Sequence, residues 1–136
     1  MRLFTIGTLL TAAGLFFPFL VSASAVFAAQ PSLSQEERQK IEALILTVEN
    51  LSDATFIRND RSYDAASAAR FLRGKWRSQE SEVRSAEDFI KKVASFSSTT
   101  GKPYLIRFRD RREVPSAVFL REQLAHGKMK SLPGSP

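Results

Sequence analysis

Ser97 and Ser98 stand a few residues ahead of Lys102, and a Ser/Lys pair is the smallest nucleophile-and-base set this chain offers. A lysine acts as a base only where its amine is stripped of water, and serines at a helix end ordinarily bond neighbouring backbone. Gly101-Lys102 after a Ser/Thr run looks like the start of a phosphate loop. The upstream glycine and the hydroxyl residue after the lysine are missing, however, and Pro103 would obstruct the helix that must follow. Carboxylates occur close together at Glu36 and Glu37, Glu80 and Glu82, and Glu87 and Asp88. Glycosidic cleavage needs two carboxylates facing each other across a cleft, whereas neighbours on one helix point apart. Glu36, Glu37, Glu87 and Asp88 therefore read as first-turn residues favoured by the helix dipole. Asp53, Asp60 and Asp64 lack the spacing of a calcium loop and read as turn and cap residues.

Basic residues carry more information. Arg107, Arg109, Arg111 and Arg112 crowd one strand and its turn, Arg58 lies on an earlier strand, and Arg70, Arg73 and Arg77 share a helix. If the strands pair, Arg58 approaches Arg107 or Lys102 and makes an anion-accepting surface with Tyr63 or Tyr104. Asn59, Arg73, Ser97 and Ser98 complete the candidate binding set. The alternative is a solvated basic edge, neutralised by Asp110 and Glu113, that deters aggregation.

Composition narrows the chemistry further. The chain has 136 residues, 20 Lys+Arg against 14 Asp+Glu, one His and no Cys. Absence of Cys removes disulfides, thiol nucleophiles and Cys-ligated metals, and a single His cannot build a multi-histidine site. The sequence supports no metal, nucleotide or organic cofactor. Its length allows one domain, and its 43% hydrophobic and 25% charged residues are those of a folded protein.

The first residues read as an address. Arg2 precedes an apolar run from Leu3 to Leu20, and a small-residue segment follows through Ala29. This is the pattern of a secretory signal spanning residues 1–28. Cleavage between Ala28 and Ala29 puts Ala28 and Val26 where signal peptidase requires small side chains; cleavage after Ala25 is the alternative. An uncleaved anchor is the other reading, the only one that ties the protein to a membrane, since the stretch matches a span of about 20 residues. Pro18 and the small-residue end favour removal. The expected location is the periplasm or the exterior. Nucleic acid is a poor partner there despite a pI of 10.1; an anionic envelope component or a periplasmic protein fits the compartment better.

The mature core must use Phe56, Phe71, Phe89, Phe96, Phe108 and Phe119. Ser34-Gln35-Glu36-Glu37 is a capping box opening a helix with Ile41, Leu44, Ile45 and Val48 inward. Ala54 to Arg58 reads as a strand, Asn59-Asp60 as a tight turn and Tyr63 as the end of a short return. Asp64 caps a helix with the stripe Ala65, Ala68, Ala69, Leu72 and Trp76, and Ser85 caps one presenting Phe89, Ile90, Val93 and Ala94. Tyr104 to Phe108 reads as a strand with Tyr104, Ile106 and Phe108 on one face. Pro115 would begin a last helix with Val118, Phe119 and Leu124 inward. The expected fold is α+β: a small sheet of two or three short strands packed with about four helices, in a single domain over residues 29–125, with a flexible tail over 126–136.

Five segments in order, Phe56-Ile57-Arg58-Asn59, Tyr63, Leu72-Arg73-Gly74-Lys75, Ala86 to Ser95 and Ser97 to Tyr104, resemble the YfeK-like family of small exported bacterial proteins. The resemblance covers nearly all of the mature chain. It implies an envelope domain of unknown function and carries no activity, substrate or cofactor with it. Relatives often have Asn-Gly at Asn59-Asp60, and many have a Cys near Ala54 and a His near Phe71. A role resting on that Cys or His is closed to this chain by the same means. The functional expectation is a non-catalytic binding or protein-interaction domain with a basic surface; a small hydrolase using Ser/Lys or carboxylate residues is the alternative.

Overall fold

A computed structural model describes residues 32–130; the signal segment and its cleavage position at Ala28 and Ala29 lie outside them. Helix α1 (Gln35–Glu49) begins where the Ser34 hydroxyl accepts the Glu37 N–H at 3.2 Å. Asp64 starts α2 (Ala65–Ser78) in the same way, its carboxylate accepting the Ser67 N–H at 2.7 Å. The Ser85 hydroxyl accepts the Asp88 N–H at 3.0 Å at the start of α3 (Ala86–Asp88). Each cap satisfies an N–H that has no partner within its own helix.

After one turn α3 widens into π geometry over Phe89–Ala94. Phe89, Ile90, Val93 and Ala94 are all fully buried there, so the wider turn presents a broad apolar face to the core. Helix α4 (Ser116–Lys130) closes the chain.

Four strands form one antiparallel sheet: β1 (Thr55–Arg58), β2 (Arg61–Tyr63), β3 (Leu105–Arg107) and β4 (Glu113–Pro115), in the order β2-β1-β3-β4. The expected two or three strands become four because the chain turns at Arg111 and pairs Arg107 with Glu113, Ile106 with Val114 and Leu105 with Pro115. Arg111 takes a left-handed conformation at φ 65° to make that turn. Pro115 ends β4 instead of opening the last helix, which an edge strand tolerates because a missing N–H there costs no ladder bond. Helix α4 consequently turns Leu120 inward, fully buried, and leaves Val118 44% exposed; Phe119 and Leu124 pack partly against the core. It also runs past Ala125 to Lys130, beyond the boundary expected for a loose tail.

The helices cover one face of the sheet. Phe56 and Ile106 point into a core shared with Ile41, Ile45, Leu72, Trp76, Phe89 and Leu120, and each such large side chain contributes about 1.5–3 kcal/mol by leaving water. Trp76 meets Phe89 edge to face, with centroids 6.0 Å apart. The result is α+β, a sheet with helices on one side.

Candidate functional site

The β1–β2 turn at Asn59-Asp60 has both residues left-handed, at φ 51° and 64°, and this tight reversal sets Arg58 directly opposite Arg61. Arg58 shares the core-facing side of the sheet with Phe56 and Tyr63, because side chains alternate along a strand. Helix α2 lies over that side and presents Phe71 and, one turn on, Lys75.

Between α2 and the sheet runs a groove of about 320 Å³. Its walls include Phe56, Ala68, Phe71 and Leu72 with the hydroxyl residues Ser67 and Ser116, and Arg58, Arg70, Tyr63 and Tyr104 border it. The Arg58 guanidinium lies 4.1 Å from the centre of the Phe71 ring and 5.9 Å from that of Tyr63. Phe71 in turn meets Tyr104 edge to face, at 5.8 Å and 85°.

Lys75 lies behind Tyr104. Its amine donates to the Phe96 carbonyl at 2.8 Å and to the Tyr104 hydroxyl at 3.2 Å, and it lies 5.0 Å from the Tyr104 ring centre. Burial, with the Arg58 charge as a second cause, holds this amine below the ordinary lysine range. Burial raises the Tyr104 phenol, and Arg58 pulls it back.

The polar character of the groove mouth is therefore one-sided. Among the described residues Arg58 and Arg70, which border the groove, and Arg61 opposite Arg58 form no ion pair with a carboxylate. Asp64, at the foot of α2, is engaged by the Ser67 N–H. Its carboxyl is held below the usual range first by that backbone bond and next by the Ser67 side chain. Guanidinium and ammonium groups donate and never accept. Such a cluster suits an incoming anion.

The candidates named from sequence separate into distinct places. Arg58, Tyr63 and Tyr104 meet at the groove. Asn59, Ser97 and Lys102 join a neighbouring clasp instead. The Asn59 amide oxygen accepts the Thr100 hydroxyl at 2.6 Å, Lys102 is paired with Asp60, and the buried Ser97 hydroxyl faces the Thr100 N–H at 3.4 Å. Gly101, left-handed at φ 71°, lets this loop fold back so that its N–H reaches the Ser97 carbonyl. Ser98 is exposed outside it. Arg73 faces α1, paired with Glu49 at 2.9 Å.

Arg107 does not approach Arg58. It pairs across the strands with Thr55, three residues back along β1 and on the opposite face of the sheet, and its guanidinium binds Glu113 at 2.6 Å. The register of β1 against β3 thus divides the basic strand edge that sequence alone joined.

Arg61, Phe71 and Lys75 were absent from the candidate set. Two local signals could have found them: Arg58 and Arg61 flank a two-residue turn, and Phe71 and Lys75 are one helical turn apart beside the alanine stripe. Among the described residues no group of acidic and histidine side chains could hold a metal ion, and no helix is long and apolar enough to cross a membrane.

A family model described as "Family of unknown function (DUF5329)" matches residues 35–128. The chain is similar to "Uncharacterized protein YfeK" of Salmonella typhimurium, 37% identical over 73 residues that make up 54% of this chain and 61% of that protein. The match thus spans less than two thirds of the relative's length. No solved structure matches.

Proposed function

The chain belongs to the DUF5329 family of proteins of unknown function, and from that premise we propose that it is a non-catalytic binding domain which holds an anionic group at Arg58. The observation that carries this reading is the Arg58 guanidinium, stacked on Phe71 at 4.1 Å at the mouth of the groove and unpaired with any carboxylate among the described residues. The ring holds the guanidinium in place while its N–H groups have no acceptor among the described residues, which leaves them for the paired hydrogen bonds a carboxylate or phosphate accepts. Arg61 and Arg70 add positive potential around it.

Export belongs to the same proposal. Its support is the signal-like pattern of residues 1–28, and it places the domain among the anionic components of the envelope.

The test is a titration of the mature domain with octanoate and with inorganic phosphate, followed through the resonances of Tyr63, Phe71 and Tyr104. The expected result is a saturable shift with at least one of the two anions in the native chain and its loss in Arg58→Gln. Unmoved groove resonances with both anions, or equal shifts in the variant, overturn the reading.

A further inference from the structure

Resting on that reading, we infer that the ligand is an amphiphile: a carboxylate at Arg58 carrying an acyl chain that lies in the groove between α2 and the sheet. Two properties of the site lead there together. The head position offers a guanidinium with no paired carboxylate among the described residues, and the space behind it is mostly apolar, with Ser67 and Ser116 its hydroxyl residues.

The Arg58 fork matches a carboxylate edge on. Tyr104 supplies a further donor, because its oxygen accepts from Lys75 at 3.2 Å while its own proton has no acceptor among the described residues. Arg61 stands opposite Arg58 on the neighbouring strand, where two like charges repel unless a counter-charge separates them. A bound carboxylate supplies that counter-charge.

The space behind the head argues for a chain in place of a bare anion. Phe56, Ala68, Phe71 and Leu72 wall the groove, and none of these side chains carries a hydrogen-bonding group. A small hydrophilic anion would leave this wall facing water; a run of methylenes would cover it. At about 30 Å³ for each non-hydrogen atom, the 320 Å³ of the groove holds about ten atoms. That is the size of an eight-carbon carboxylate.

The chemistry can reach the site as a free fatty acid or as a carboxylate-bearing lipid fragment, and chain length separates this proposal from simple anion binding. Calorimetric titration of the mature domain would use acetate, butyrate, hexanoate, octanoate and dodecanoate, with octanol and inorganic phosphate beside them. Affinity should rise about fourfold for each added methylene, then level off near about eight to ten carbons as the groove fills. Octanol, which lacks the charge, should bind at least about tenfold more weakly than octanoate. Arg58→Gln should weaken octanoate about tenfold to a hundredfold, and Tyr104→Phe by a smaller factor. A thermal unfolding curve for each variant shows whether it is folded. Acetate or inorganic phosphate binding as tightly as octanoate overturns the amphiphile and leaves the anion-binding reading standing. Octanol matching octanoate overturns the carboxylate head. No binding by any anion overturns both.

Discussion

Arg58 and Arg61 face each other across the β1–β2 hairpin with no carboxylate paired to either among the described residues. Like charges directly opposite on a sheet destabilise it by a few tenths of a kcal/mol to about 1 kcal/mol. The free protein thus carries a local strain that a bound anion relieves. Arg61→Glu converts the repulsion to an attraction, and the expected gain in stability is about 0.5 kcal/mol at low salt. Urea unfolding at low and high salt checks it: the gain should shrink as salt screens both arrangements. The same variant should bind octanoate more weakly than the native chain. Unchanged stability at low salt would mean that the two guanidinium groups do not feel each other.

Lys75 should give stability a distinctive alkaline profile. Burial and then Arg58 hold its amine below the ordinary lysine range, so the folded chain releases this proton at lower pH than the unfolded chain does. Between those two pH values the unfolded chain binds more protons, and stability rises with pH. Tyr104 has the opposite sign: its buried phenol keeps its proton above the ordinary tyrosine range, so stability falls with pH there. Denaturant unfolding of the native chain and of Lys75→Met, measured from neutral into alkaline pH, separates the two. The variant should lack the rise and keep the fall. Identical profiles would show that the Lys75 amine is solvated as in the unfolded chain.

Glu37 links the first helix to the third. Its carboxylate accepts the Ala86 N–H at 2.6 Å and the Lys40 amine at 2.7 Å. A bond from a backbone donor to a charged acceptor contributes about 1.5–3 kcal/mol. Glu37→Ala is expected to lower stability by about 2 kcal/mol, and hydrogen exchange at Ala86 should speed up more than at Ile45 in the middle of α1. A loss spread evenly over both positions would show that the contact does not act locally at the start of α3.

These contacts mark where sequence reasoning reaches and where it stops. Ser34, Asp64 and Ser85 were readable as caps because a cap is made by a side chain and a backbone N–H three residues away. The apolar stripe of α2 was readable for the same reason of short range. The fourth strand was hidden, since Glu113–Pro115 is three residues long, ends in proline and acquires its conformation only by pairing with β3. The groove was half visible. Arg58, Tyr63 and Tyr104 could be named, but whether Arg58 meets Arg107 or Phe71 depends on the β1–β3 register and on how α2 lies over the sheet. Neither is encoded in local spacing. Chemical type picked out the arginines, and long-range packing decided which of them were left without a carboxylate.

Phe71 joins stability to binding at one position. Its ring stacks on the Arg58 guanidinium at 4.1 Å and meets Tyr104 edge to face at 5.8 Å. Phe71→Leu keeps an apolar side chain of similar reach and removes both aromatic contacts. Each is worth about 0.5–1.5 kcal/mol beyond area at a partly exposed site, so the expected loss is about 1–3 kcal/mol. Binding should suffer as well, because the guanidinium loses the ring it rests on and must be ordered by the ligand. Urea unfolding gives the first quantity and octanoate titration the second. A variant that is destabilised yet binds octanoate as tightly as the native chain would confine Phe71 to packing and assign the orientation of Arg58 to Tyr63.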